Sequence, residues 1–525
     1  MTDPHASQFR RWFDDDRVFA ALLTFVFIVL TSINIHHHVM WRDEVRSWQV
    51  VQISPTFASL RHNLDYFGVP YLWYLLLWWV SFFFSGMGAM KGLHVAIAAA
   101  VVFVFCWRAP FGKLIRALFP FGYYTFFEYA VISRNYSLLF LFILIAAAII
   151  SLPTQRPMAL AIATILMAQV SVWGIAIAAL MLGVGVLKAL LDNPRKFLWL
   201  PWLTACALVV CGCALGYYEA QPSPGQSYIA RWNPQATAIQ KLGATIGTVW
   251  KGWFPIPSFE RHFWNTNIFD AHLNIQCSLG CILLLLALLA LLRRPVALLM
   301  FLGGSFGLMA VTYFMFVGVN RHNGHLFMVL IASCWIAESS REWSPRTHTL
   351  AALTSWCDRY RWVFLLVILC VQVPIGIGAV IADAKLPFSA GKAVAEYIEK
   401  NIDPSDTIMA IDDYCADPVS AYLHRDLYYP QMRCVAPYNT QNDAARFPVT
   451  LDSLFDDIRL HIMKTNHDVL LLLSSGRVLV QQDSMVEFPS QFGPKEIYQI
   501  KVLPKFDDST VEDEAQSLYL IHRVQ

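Results

Sequence analysis

The chain reads as an α-helical polytopic membrane protein with about 11 transmembrane helices, followed by a small C-terminal extramembrane α/β domain. Three observations predict this. Apolar runs long enough to cross a bilayer recur from Val18 to Asp383. The chain is 57% hydrophobic and only 14% charged, where a soluble domain carries about 25% charged residues. After Asp383 the pattern changes to short strands alternating with helices, as in an α/β domain. The expected division is a membrane unit over 1–386 and an extramembrane unit over 387–525.

Each span needs roughly 20 apolar residues. Candidate spans are 18–35, 89–107, 113–130, 135–152, 157–172, 174–191, 197–216, 274–293, 296–318, 324–339 and 361–383. The first follows the basic and acidic stretch FRRWFDDDR and has no small-residue cleavage site after it, so it reads as an uncleaved span. Arg108, Lys113 and Arg116 share one connection; Arg156, then Arg195 and Lys196, then Arg293 and Arg294, then Arg341, Arg346, Arg359 and Arg361 fall in alternate later ones. By the positive-inside rule these loops are cytoplasmic. The outer loops 36–88 and 217–273, the junctions 131–134 and 319–323 and the tail then lie outside.

VPYLWYLLLWWVSFFFS, residues 69–85, is apolar enough to cross, but crossing would invert every later loop. Its tryptophans, Tyr71 and Tyr74 suit a helix that lies in the outer interface or enters partway. Loop 217–273 is too long for a plain connection. With Pro222, Pro224, Pro255, Pro257 and Trp232, Trp250, Trp253 and Trp264, it predicts short helices on the outer leaflet. In the tail, GKAVAEYIEKN and SLFDDIRLHIMKT read as helices, and DTIMAID, HDVLLLL, EIYQIKVL and SLYLIHR as strands. Cys415 and Cys434 are either two separate thiols or a disulfide closing a loop of about 20 residues, which would stabilise the domain by about 3 kcal/mol. The other nine of the 11 cysteines show no CxxC pair and no zinc spacing.

The chemistry-bearing residues gather at outer span ends. WRDE, Trp41 to Glu44, places Asp43 and Glu44 beside Arg42 and Arg46 just outside the first span. FFEYAVISRNY carries Glu128, Arg134 and Tyr136 around an outer turn. Glu128 either pairs with Arg134 across that turn, or Arg134 faces the same cavity as Asp43. NRHNGHLF places Arg321, His322 and His325 at the start of a span, with Arg321 and His325 on one helix face. Arg and His are donors suited to a phosphate. Lys251, Arg261 and His262 are expected to add to that basic pocket. The run His36 to His38 reads as interfacial rather than metal-binding, since three consecutive histidines share no helix face. Net charge is +2, which gives no case for nucleic acid. No Walker loop, GxGxxG, GxSxG or HExxH occurs. Three other classes stay open: a flippase or transporter of lipid-linked sugar, a membrane polymerase or ligase, and a non-catalytic scaffold. The absence of an internal repeat speaks against a transporter.

With WRDE in the first outer loop, proline before the aromatic run in GVPYLWYLLLWW, Arg134-x-Tyr136 at an outer turn, the RHxGxLF-type junction and the C-terminal domain, the sequence resembles the GT-C superfamily of membrane glycosyltransferases. The likeness is to the bacterial protein-mannosyltransferase-like and aminoarabinose-transferase-like branch. It covers the whole chain in order, and WRDE is its strongest part. The resemblance implies a GT-C-like fold and a sugar donor on a polyprenyl phosphate or diphosphate, transferred on the outer face to a lipid, glycan or protein acceptor. It implies Asp43 as the catalytic base, with Glu44 orienting it, assisting it or binding a metal. Arg321, His322, His325 and Arg134 would bind the donor phosphate, and Tyr136, His62, Tyr71 and Lys251 would line the substrate site. The resemblance commits to no cofactor, and a divalent metal stays open. Arg134-Asn135 stands where several relatives place an aspartate, and Val69 precedes Pro70 where they have His or Lys.

Overall fold

The computed structural model describes residues 15–221, 235–315, 318–344, 347–440, 442, 445–474, 477–488 and 496–524. Residues 9–14, Pro222, Pro224, Trp232 and Arg346, which the sequence singles out, lie outside the described residues.

Among the described residues, seven helices are long and apolar enough to cross a membrane: Asp16–His37, Met87–Arg108, Val172–Asp192, Trp199–Glu219, Leu273–Leu291, Pro295–Phe314 and Arg361–Lys385. Their starts follow local chemistry. Asp15 accepts the Arg17 N–H, Ser171 accepts the Gly174 N–H, and Pro295 occupies the first turn of its helix. Three expected spans are helices of other kinds. Tyr136–Ile150 has 15 residues and Pro157–Ala168 only 12. Asn320–Glu338 is buried along almost its whole length and begins with the polar residues of NRHNGH.

Residues 113–130 do not form the continuous span expected. They break into a helix Lys113–Leu118, a 3-10 turn Phe119–Phe121 and a π-helical turn Tyr124–Glu128. Pro120 cannot donate an N–H, and Gly122 is extended with a ψ of 160°. Apolar composition made this stretch look like one helix. Its side chains are apolar because they are buried in protein: Phe119 stacks on Phe105 with ring centroids 3.6 Å apart.

The aromatic run forms a ten-residue helix, Leu72–Ser81. At 1.5 Å per residue that is about 15 Å, too short to cross. In loop 217–273 the described helix is Ala238–Trp253, capped by Thr237 with Gln240. It does not lie loose on the surface. Gly252 packs so closely on the helix Asn320–Glu338 that an added Cβ would stand 2.5 Å from the Asn323 carbonyl oxygen.

The tail forms one seven-stranded sheet: β1 Thr407–Ile411, β2 Leu427–Tyr429, β3 Cys434–Ala436, β4 Val469–Ser474, β5 Ser484–Phe488, β6 Glu496–Phe506 and β7 Gln516–Arg523. The order is β3-β2-β1-β4-β7-β6-β5, with β1 parallel to β2 and β4 and the other pairs antiparallel. Side chains alternate between faces. Ile408, Leu470 and Leu472 pack with the helix Gly391–Asn401, while Met409, Val469 and Leu471 pack with the helix Leu451–Thr465. All six expected elements are present, and β2, β3, β5 and the helix Asp417–Leu423 are additional. Cys415 and Cys434 are both free thiols; the disulfide reading is corrected. Cys434 pairs with Tyr429 in the β2–β3 ladder, whereas the buried Cys415 faces Arg42.

Candidate functional site

The site is built on the helix Arg42–Gln52, which starts one turn beyond the first span. Acidic residues in a first turn meet the positive end of the helix dipole. Asp43 and Glu44 sit there but point to different partners.

Asp43 is buried, with its Oδ2 2.7 Å from Arg134 Nη1 and 3.7 Å from Arg321 Nη2. Burial alone would raise its pKa. Arg134, then Arg321, Arg42 and Arg46, outweigh burial and bring it down to about 2. Arg134 thus faces Asp43, the second of the two readings given by the sequence. Glu128 is held instead by the Tyr123 hydroxyl at 2.9 Å and Trp264 Nε1 at 3.1 Å.

Glu44 has no exposed surface. Its Oε1 accepts the Ser133 N–H at 2.5 Å, and its Oε2 accepts the Trp41 N–H at 3.2 Å and His38 Nε2–H at 2.9 Å. His38 Nδ1 lies 3.0 Å from Asp383 Oδ2, at the end of the last span. Burial would lower the His38 pKa, yet Asp383 and Glu44 raise it to about 9, so the ring is an imidazolium donating to two carboxylates. Glu44 is itself held below the usual carboxylate range, since His38 and two backbone N–H groups outweigh burial. Its oxygens are engaged with protein, so it braces the Ser133–Arg134 turn against the helix that carries Asp43.

Arg321 lies beside the touching rings of Trp41 and Trp264, at 5.3 and 5.4 Å from their centroids. Its carbonyl accepts the Tyr129 hydroxyl at 2.8 Å. His322 Nδ1 accepts the Val319 N–H, which caps the helix and leaves Nε2–H as the donor 3.3 Å from the Tyr136 hydroxyl. His325 Nδ1–H donates to the His322 carbonyl at 2.7 Å, so its Nε2 is a lone pair, buried without a protein partner among the described residues. Trp173 and Tyr136 flank the His325 ring. Arg321 Nε and Trp41 Nε1 are also buried without a described partner. Tyr74 of the aromatic helix lies against Arg134, Asp43 and Arg46.

The structure therefore brings together Asp43, Arg134, Arg321, His322, His325 and Tyr136, with Glu44 behind them. The others stand apart. The His62 side chain is 82% exposed and lies near Asp65. Tyr71 packs with its N–H on Glu219; Tyr74, three residues on, faces the cluster instead. Lys251 pairs with Asp270 at 2.5 Å. Arg261 pairs with Asp508, and His262 meets the Thr510 carbonyl, so neither joins the basic pocket. Sequence reasoning missed Tyr74, Trp173, Trp264, Ser133, His38 and Asp383. Asp383 left a signal: a lone acidic residue ending an apolar span needs a partner. Among the described residues, no group of three or more His, Cys, Asp or Glu side chains is set to hold a metal ion.

No protein-family model matches the chain. No curated protein matches it by sequence. Solved structures do match. The crystal structure of ArnT from Cupriavidus metallidurans bound to undecaprenyl phosphate aligns with a TM-score of 0.50 at 12% identity, covering 95% of this chain and 97% of that one. The chain has the ArnT fold. The apo-state crystal structure of the same ArnT aligns over the same shares with a TM-score of 0.41 at 13% identity. The ArnT-like architecture, a helical membrane unit with a small C-terminal sheet, is the fold class that the sequence leads one to expect.

Proposed function

We propose that this protein is a membrane glycosyltransferase that moves a sugar from a polyprenyl-phosphate donor to a hydroxyl acceptor at the Asp43 cluster. One observation carries the reading: a buried carboxylate bridged by two arginines, Arg134 and Arg321, beside an aromatic wall. The ArnT fold, seen in a crystal structure with undecaprenyl phosphate, supports the donor class.

The same arginines serve two anions in turn. Without donor they hold Asp43, which is then a weak base. A donor phosphate draws both guanidiniums toward its oxygens, bidentately where geometry allows. Asp43 regains basicity as they leave. The acceptor oxygen attacks the anomeric carbon and Asp43 takes its proton. The bond from that carbon to the phosphate oxygen breaks, and the phosphate departs with the electron pair, stabilised by Arg134, Arg321 and the His322 Nε2–H donor. His325 Nε2 accepts a sugar hydroxyl. The site and the sheet domain lie on the periplasmic face, and residues 387–525 form an extramembrane unit docked on the Asp43 helix.

The test uses protein in lipid nanodiscs with a panel of polyprenyl-phosphate sugars and membrane extract as acceptor. Release of free polyprenyl phosphate by wild type and not by Asp43→Asn is expected. Equal release by both would remove Asp43 as the base. Movement of lipid-linked sugar between leaflets with no release would replace the transferase reading with a flippase.

A further inference from the structure

The helix that carries Asp43 has four arginines around its acid, and the sheet domain engages two of them. Arg46 Nε and Nη2 donate to Asp417 Oδ2 at 2.8 and 2.6 Å, and both side chains are buried. Arg42 Nη1 donates to Asp513 at 2.8 Å. Other contacts from the same domain land nearby. The Tyr422 hydroxyl accepts the Met40 N–H, Glu514 accepts the Arg42 N–H, and Gln49 donates to the Pro437 carbonyl.

Arg46 stands three residues after Asp43 on one helix, the spacing at which an acid and an arginine meet on the same face. Asp417 turns it away. The other two arginines, Arg134 and Arg321, come from junctions outside the Asp43 helix. We infer that Asp417 is a positioning residue for Asp43: by holding Arg46, it keeps that guanidinium from closing a direct ion pair with the carboxylate, and leaves the close contacts to Arg134 and Arg321. This rests on the transferase reading above. It gives the sheet domain a role in the chemistry without contact with substrate: Asp417 lies 374 residues from Asp43 in sequence and acts through Arg46.

The decisive comparison is Asp417→Asn against the double variant Arg46→Gln/Asp417→Asn, both in nanodiscs. In the single variant Arg46 loses its carboxylate and turns to Asp43. Its kcat is expected to fall roughly 10- to 100-fold, with KM for the donor within about twofold. The double variant removes the stray cation and is expected to recover to within about threefold of wild type. A folded double variant as inactive as the single one would overturn the inference, because packing rather than charge would then be at stake. The double variant leaves no unpaired ion where Arg46 and Asp417 met, so it tests the proposal even if the single variant fails to fold. A crystal structure of Asp417→Asn supplies a readout independent of turnover. Arg46 within hydrogen-bond distance of Asp43 supports the inference, and Arg46 left beside position 417 overturns it. Wild type inactive with every donor would instead refute the transferase reading, and the crystallographic result would still decide the role of Asp417.

Discussion

Asp43 stays charged in a place where burial opposes charge, and Arg134 at 2.7 Å is the main reason. Replacing Arg134 or Arg321 with Gln should therefore weaken donor binding, by about 1.5–3 kcal/mol for a lost charged hydrogen bond. The measurement is the KM for the donor, or displacement of a labelled polyprenyl phosphate. Lys at either position should restore little, because an ammonium lacks the planar fork of a guanidinium. At this scale the sequence was informative about which residues come together. Asp43, Arg134, Arg321, His322, His325 and Tyr136 were all identifiable from polar groups at apolar span ends, and the structure gathers them. His62, Tyr71 and Lys251 were not separable from them, since sequence does not say which face of a loop or helix turns inward. A tautomer is equally illegible: His325 reads as a phosphate donor until the His322 carbonyl claims its N–H.

Elements were legible where periodicity and length agree. The seven long apolar helices each match an expected span to within a few residues. The break in 113–130 did not show, because apolar content reports burial and not helical continuity; the FPFG stretch, Phe119 to Gly122, was the available cue. Strands β2 and β3 have three residues each, too few for an alternation to register. Helix placement depends on small residues. Gly252→Val would force the Ala238–Trp253 helix away from the Asn323 carbonyl and displace the helix carrying Arg321. Overpacking of this kind costs about 1–3 kcal/mol. A lowered unfolding midpoint in nanodiscs together with weakened donor binding is the expected pair of results.

The whole molecule is held together by contacts that no local pattern predicts: His38 with Asp383, 345 positions apart, and Arg46 with Asp417, 371 apart. The first has a pH signature. His38 is raised from 6.5 to about 9, so its stabilisation is complete below about pH 6.5 and disappears as pH rises through about 9. The loss is on the order of 3 kcal/mol. Wild type should therefore unfold at lower temperature as pH goes from 6.5 to 9, and His38→Gln should show a flatter profile. Sidedness has its own test. Lys464→Cys in the sheet domain should react with a membrane-impermeant maleimide in intact spheroplasts, and Arg195→Cys should react only after lysis, each measured against wild type.

The two short helices, Tyr136–Ile150 and Pro157–Ala168, measure about 22 and 18 Å at 1.5 Å per residue. A hydrocarbon core is about 30 Å thick. The polar turn between Ala168 and Val172 is satisfied within the protein: Asn135 donates to the Val170 carbonyl and Gln169 to the Gly212 carbonyl. Met158 and Ile162 are nevertheless exposed on the shorter helix. Acyl chains against that flank must shorten, tilt or disorder to match it. If that flank meets the bilayer, the mismatch predicts a locally thinned leaflet beside it. On the function proposed above, a long polyprenyl chain, softer than a packed leaflet, is expected to enter through a flank where the bilayer is thinned.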